Sequence, residues 1–210
     1  MTINVRRLRT ANGLIEELDS DFAWRLQEIA SLRKAARSAS GITKSALLRA
    51  SVTLLYAHWE GYVKTTAIRY AAFLSMLGIT FGEVQRCFSG IKALGYVKSL
   101  HQINKRLFAA SDLLSSLHRI DGDKFTIPLE DHIADVGNLN YDLFQQIAEF
   151  LFIDSRSYSA RKPLIDESLL KQRNEIAHGR RLLIDDKDFE TLVDETLQTM
   201  RQFRPCGRNP

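Results

Sequence analysis

Residues 43–77 read TKSALLRASVTLLYAHWEGYVKTTAIRYAAFLSML, and the spacing of their apolar positions decides the fold. Leu48, Val52, Leu55, Trp59, Thr66, Tyr70, Phe73 and Leu77 follow one another along one stripe, the pattern of a helix with a buried face. Gly78 is placed to end a helix of about ten turns, the expected spine of the molecule. A second line through Tyr56, Glu60, Val63, Ala67, Ala71 and Leu74 runs beside the first and is apolar except at Glu60. The Glu60 carboxylate is therefore expected to be partly buried and to need a cationic partner, because burying an unpaired charge costs several kcal/mol or more. Arg173 is the candidate partner, and an i,i+4 pair with Lys64 is the alternative.

Working outward from the spine, the helical period persists. Residues 12–38 carry Leu14, Leu18, Phe22, Leu26, Ile29 and Leu32 on one face, with Asn12 as candidate N-cap and Gly41 as a stop. Residues 83–117 continue the pattern, and Gly90 and Gly95 are expected to divide it into two pieces. Residues 119–139 contain Asp121-Gly122-Asp123, Pro128 and Gly137, which predicts an irregular insertion with a short extended piece at 124–127. A helix over 140–153 follows, capped by Asn138 or Asn140, then a polar, basic surface loop over 154–163. Helix resumes from Leu164 to His178 with Gly179 beyond its end, and Asp185 or Asp186 caps a last helix through residue 203. The reading is an all-α fold with a long central helix: one helical domain over 1–203 and a flexible tail over 204–210.

Composition narrows the function classes. With 45% hydrophobic and 26% charged residues in a chain of 210, the protein is long enough for one substantial core and too apolar to be disordered. No series of alternating Val/Ile/Thr strands divided by turn residues is present, so an all-β fold is excluded. Cys87 and Cys206 are far apart and form neither a disulfide framework nor a CxxC metal spacing. That usage, with a charged rather than apolar beginning and no run approaching about 18 apolar residues, predicts a soluble cytoplasmic protein without a membrane span. The net charge of +4, with Arg about twice as frequent as Lys, suits a polyanion partner and suits a solvated surface equally well.

The segment LLKQRNEIAHGRR, residues 169–181, carries the chemistry. Asn174 and His178 are four apart and share a helix face, whereas Arg173 lies about 140° around from His178 on ideal geometry. Either the long arginine side chain reaches around or the helix loosens near its end. A cation in the last turn is favoured by the helix dipole, which suits a proton donor. Spacing alone leaves a second reading open, in which His178 only complements the helix end and Arg173 forms a surface ion pair.

RNEIAHG resembles the Arg-polar-x-x-x-His motif of the HEPN superfamily. LLYAHWEGYVK in the long helix resembles the aromatic-acidic segment of a HEPN branch from prokaryotic defence and toxin-antitoxin loci. The likeness covers residues 43–77 and 138–203. It implies a HEPN-like helical bundle that forms a homodimer and cleaves RNA without a metal or other cofactor. On this sequence it gives Arg173 the scissile phosphate, His178 a proton to take or donate, and Asn174 a hydrogen bond that orients phosphate or imidazole. Glu60 joins them as a fourth candidate catalytic residue. The reaction it implies is attack of the 2′-hydroxyl on the adjacent phosphorus, leaving a 2′,3′-cyclic phosphate and a 5′-hydroxyl. An antitoxin or other defence-system protein is a candidate partner, and a catalytically silent module that dimerises or docks a partner is the rival reading.

The remaining inventory offers no competing chemistry. His58, His101, His118 and His132 have no metal-ligand spacing, and Asp121, Asp123, Glu130 and Asp131 read as a solvated acidic loop. There is no phosphate-binding GxxxxGK[ST] loop and no GxSxG elbow. His58 is expected to be a satisfied core or rim residue, and Trp59 a core anchor rather than a platform for bases.

Overall fold

A computed structural model describes residues 7–84, 86–100, 106–126 and 137–205. Seven α-helices appear among them: α1 (Ala11–Ser38), α2 (Gly41–Met76), α3 (Arg86–Leu100), α4 (Arg106–Arg119), α5 (Tyr141–Phe150), α6 (Lys171–Ala177) and α7 (Asp186–Gln202). The architecture is all-α, and among the described residues the extended pairing amounts to one isolated antiparallel bridge between Thr80 and Lys124.

The long helix is the axis. Trp59, Tyr62, Val63, Ala67 and Leu74 of α2 are fully buried, and each large apolar side chain so enclosed contributes about 1.5–3 kcal/mol. Successive faces of α2 meet different partners. Tyr62 packs on Phe22 of α1, Trp59 packs on Phe144 of α5, and Tyr62 Oη donates to the Phe203 carbonyl beyond α7. At the other end of the same pair, Lys44 bonds Asp186 at 2.5 Å, so α2 and α7 run side by side in the same direction. Arg33 and Arg37 on α1 close the bundle by gripping Glu190 of α7, and Arg33 also holds Asp194.

The α1–α2 seam contains charge. Asp21 (3% exposed) accepts from Arg25 (7% exposed) at 2.8 Å, Arg69 lies 3.9 Å away, and Arg25 Nη1 donates to the His58 carbonyl. Gly61 makes this possible, because a Cβ there would stand 2.7 Å from Arg25 Nη1. His58 points into the same seam, 3.0 Å from Glu28 and edge-on to Trp24. Burial pushes its imidazole below the ordinary histidine range, with the Glu28 charge opposing. The expectation of a core or rim histidine therefore holds for its position, as does that of Trp59 as a core anchor.

Several local expectations are corrected. Thr10, not Asn12, caps α1, its hydroxyl accepting from Gly13 N at 3.0 Å. Gly41 starts α2 rather than stopping α1: at φ +57° it makes the left-handed turn that a side chain would resist. Gly90 and Gly95 do not break α3, which runs through both. Each is solvent-exposed, and a glycine in an exposed helix interior costs only about 1 kcal/mol. Residues 154–163 are not a plain loop, since Ser155–Arg161 form a 3-10 helix that buries Ser155 and Tyr158. The extended piece is reduced to the Thr80–Lys124 bridge, where Phe125 N donates to the Ile79 carbonyl at 2.8 Å and the Phe125 ring packs on Phe81 and Phe88. Ile127, most of the expected insertion, Glu130, Asp131 and the last five residues of the tail lie outside the described residues. Asn140 and Asp185 are the caps of α5 and α7.

The buried ion pair yields the first prediction. Asp21→Ala leaves Arg25 without its carboxylate in a closed seam and Arg69 with Glu17 alone, which should cost about 3–5 kcal/mol in a urea titration. A loss below about 1 kcal/mol would show that solvent reaches the seam.

Candidate functional site

The segment carrying Arg173, Asn174 and His178 is irregular before the motif and regular within it. Leu164–Leu170 form a π-helix that runs directly into α6, and Lys171 N bonds the Asp166 carbonyl across five residues instead of four. Such a wide turn rotates the following residues relative to a continuous α-helix, and it is commonly met at functional sites. Leu164, Ile165 and Leu169 anchor it in the core, while the Asp166 carboxylate accepts from Tyr141 N at 2.7 Å and ties it to α5. The loosening expected near His178 thus lies upstream of Arg173.

The downstream end is closed tightly. Gly179 has φ +75°, its N–H bonds the Ile176 carbonyl at 3.0 Å, and Arg180 N bonds the Glu175 carbonyl at 2.9 Å. These two bonds form a Schellman cap, the end that the glycine after the motif predicts. His178 is the last residue before it, is exposed, and has its N–H on the Asn174 carbonyl at 3.0 Å.

Arg173 is half-buried against α2. Its guanidinium carbon sits 5.4 Å from the Tyr56 ring centroid, and Nη1 donates to Asn174 Oδ1 at 2.9 Å. Asn138 Nδ2, from the approach to α5, donates to the same oxygen at 3.5 Å. Tyr56 is 1% exposed, and its hydroxyl is enclosed without a hydrogen bond of full geometry. Burial first, then the Glu60 carboxylate, pushes the phenol well above its ordinary range, while the Leu139 backbone and the Arg173 charge pull the other way. The phenol therefore feels both the acid of α2 and the guanidinium of α6.

The expected Glu60–Arg173 pair is not made. Glu60 is partly buried, 20% exposed at its side chain, but its partner is Lys64 at 2.5 Å, which also reaches the Gly137 carbonyl at 3.3 Å. An i,i+4 pair closes with little chain distortion, and Lys64 takes the place expected of Arg173. In consequence Arg173 has no carboxylate partner among the described residues. The buried or half-buried Arg25, Arg33 and Arg69 all have one. No hydrogen bond or ion pair among the described residues joins His178 to Arg173 or to Glu60.

Sequence reasoning passed over Tyr56 as an apolar position and Asn138 as a cap. The signal for Tyr56 was its place one turn before Glu60 on a shared line; for Asn138 there was none, because its proximity to Asn174 is tertiary. His118 bonds the Leu114 carbonyl on α4, and His101 and His132 lie outside the described residues. Among the described residues no group of three or more His, Cys, Asp or Glu side chains is placed to hold a metal ion, and no helix is long and apolar enough to cross a membrane.

A family model described as RiboL-PSP-HEPN matches residues 20–204. No curated protein and no solved structure gave a significant match. The matched span holds all of α2 and the whole motif segment.

The Schellman end of the motif helix is open to test. Gly179→Ala places a side chain at positive φ and should cost about 1–2 kcal/mol in thermal or urea unfolding, with amide exchange rising first around residues 176–180. Unchanged stability and exchange would mean that the helix end is held by something other than this cap.

Proposed function

The chain belongs to the RiboL-PSP-HEPN family, and on that premise we propose that it is an endoribonuclease whose active centre is built on Arg173, Asn174 and His178. HEPN membership supports a nuclease-like or RNA-related function at the level of the superfamily. The observation that carries the finer reading is the state of Arg173: a half-buried guanidinium, fixed by the Tyr56 ring and Asn174, with no carboxylate to neutralise it. A charge held in this way attracts an anion, and the planar guanidinium fork matches two oxygens of a phosphate.

In the proposed reaction the 2′-hydroxyl oxygen bonds to phosphorus while the bond from phosphorus to the 5′-oxygen breaks. One His178 imidazole takes the 2′-hydroxyl proton, and a protonated His178 from a second copy gives a proton to the departing 5′-oxygen. The products are a 2′,3′-cyclic phosphate and a 5′-hydroxyl, and no metal is required. Arg173 neutralises the charge gathering on the phosphate oxygens, and Asn174 aligns the guanidinium. Glu60, paired with Lys64, takes no direct part in this reaction. The likeness of LLYAHWEGYVK to a defence and toxin-antitoxin branch supports a role as a toxin or anti-phage effector, held in check by a partner protein.

The missing contact between Arg173 and His178 within one copy favours the silent-module reading unless a second copy completes the centre. Light scattering should therefore give a mass near twice 23.9 kDa at micromolar concentration, and a monomer that cleaves RNA would rule out the paired-histidine mechanism.

Single-stranded RNA should be cleaved in the presence of EDTA. His178→Ala should slow the reaction by roughly two to four orders of magnitude, Arg173→Ala comparably, and Arg173→Lys should restore it only in part. Wild-type cleavage by a helical His178→Ala protein, or activity lost on chelation and regained with a divalent metal, would overturn the assignment.

A further inference from the structure

Arg49 carries no role in the scheme above, yet it repeats the circumstances of Arg173. It is half-buried, its Nη1 donates to Ser45 Oγ at 3.0 Å, and it has no carboxylate partner among the described residues. Among the described residues Arg161 is also half-buried without one; it lies before the π-helix and spends its guanidinium on Gln198. A partly desolvated guanidinium without a counter-charge is unfavourable in the free protein, and an anion relieves it.

The path of the helices puts Arg49 beside the motif. Arg49 precedes Tyr56 by seven residues, about two turns, so the two share a face of α2 to within about 20°. That face is the one on which α6 lies, since Arg173 of α6 covers the Tyr56 ring. The direction of α6 follows from its neighbours. α7 runs alongside α2 from Lys44–Asp186 to Tyr62–Phe203, and Arg161, ahead of the motif helix, touches Gln198 near the far end of α7. The motif helix therefore runs opposite to α7 and to α2. Its His178 end points toward the first half of α2, where Arg49 stands.

We propose that Arg49 is a second phosphate-binding residue, which holds the RNA backbone at a phosphate other than the one gripped by Arg173. The inference rests on the ribonuclease reading of Arg173 and His178. Arg49 is offset from Tyr56, on whose ring Arg173 sits, by about 10 Å along α2, which places it to hold a neighbouring phosphate of the same strand. The strand then lies along the α2–α6 groove, past His178, with Ser45 fixing the Arg49 fork. The ligand is a polynucleotide with at least two phosphates, recognised through its backbone rather than its bases.

The experiment is fluorescence anisotropy of a labelled single-stranded oligoribonucleotide with 2′-O-methyl groups, which has no 2′-hydroxyl to attack. It is titrated against the full chain between about 50 and 200 mM salt. Each phosphate contact on a single strand contributes about 0.7 to the slope of log K against log salt. Arg49→Ala should lower that slope by about 0.7 and weaken binding about tenfold at the lower salt. Arg49→Gln, which keeps the length and polarity of the side chain without its charge, should lower the slope equally and carries the test if the alanine variant is unfolded. Ser45→Ala should weaken binding with the slope retained. Wild-type slope and affinity in folded Arg49→Gln, with both reduced in Arg173→Ala, would overturn the role of Arg49 and leave the ribonuclease reading intact. Failure of the wild-type protein to bind the oligonucleotide at all would overturn that reading, and Arg49 with it.

Discussion

A helix of 36 residues that is buried over most of its circumference must find a different partner for each face, and α2 sets this constraint on everything else. One face takes α1, and there the close approach depends on Gly61, which leaves room for Arg25 and the buried carboxylate of Asp21. The next takes α7, then α5 through Trp59 and Phe144, then α6 through Tyr56. A strip through Ala46, Ala50, Leu54 and Ala57 stays exposed. Because α2 is buried on its other faces, Tyr56, which it presents to α6, is itself a core residue.

The site depends on that burial. Tyr56 is a core residue by burial and a platform by position, so the energy that packs the bundle also fixes the seat of Arg173. The two ways the molecule treats arginine are instructive. In the α1–α2 seam Arg25 and Arg69 are buried and share Asp21, because an unmatched charge there would cost more than folding can supply. Arg49 and Arg173 are only half-buried, which lowers that cost enough for them to remain without a carboxylate partner among the described residues. The π-helix ahead of the motif belongs to the same arrangement, since it changes which way α6 faces after its buried anchors Leu164, Ile165 and Leu169.

Much of this was legible in the residues. The three-to-four period of 43–77 determined the spine, and glycines with a turn to make, Gly78 and Gly179, marked helix ends because only they accept positive φ without strain. Asparagine and aspartate ahead of apolar runs marked the caps at Asn140 and Asp185. Local rules failed where a neighbour decided the outcome. Gly90 and Gly95 were read as breaks, but the apolar face of α3 packs well enough to carry the helix through them. The basic run 154–163 looked like a loop because its polar letters outnumber the two side chains, Ser155 and Tyr158, that pin it to the core.

For the site, the order Arg173, Asn174, His178, Gly179 and the partial burial of Glu60 follow from the sequence by itself, since both depend on helical periodicity and end chemistry over a few residues. What only the tertiary structure decided is who meets whom across helices. Arg173 meets the Tyr56 ring rather than the Glu60 carboxylate, and Asn138 reaches Asn174. The physical reason is range. A helix reports its own face to the sequence every three to four residues, but which other helix covers that face depends on the packing of the whole bundle, and no local spacing encodes it.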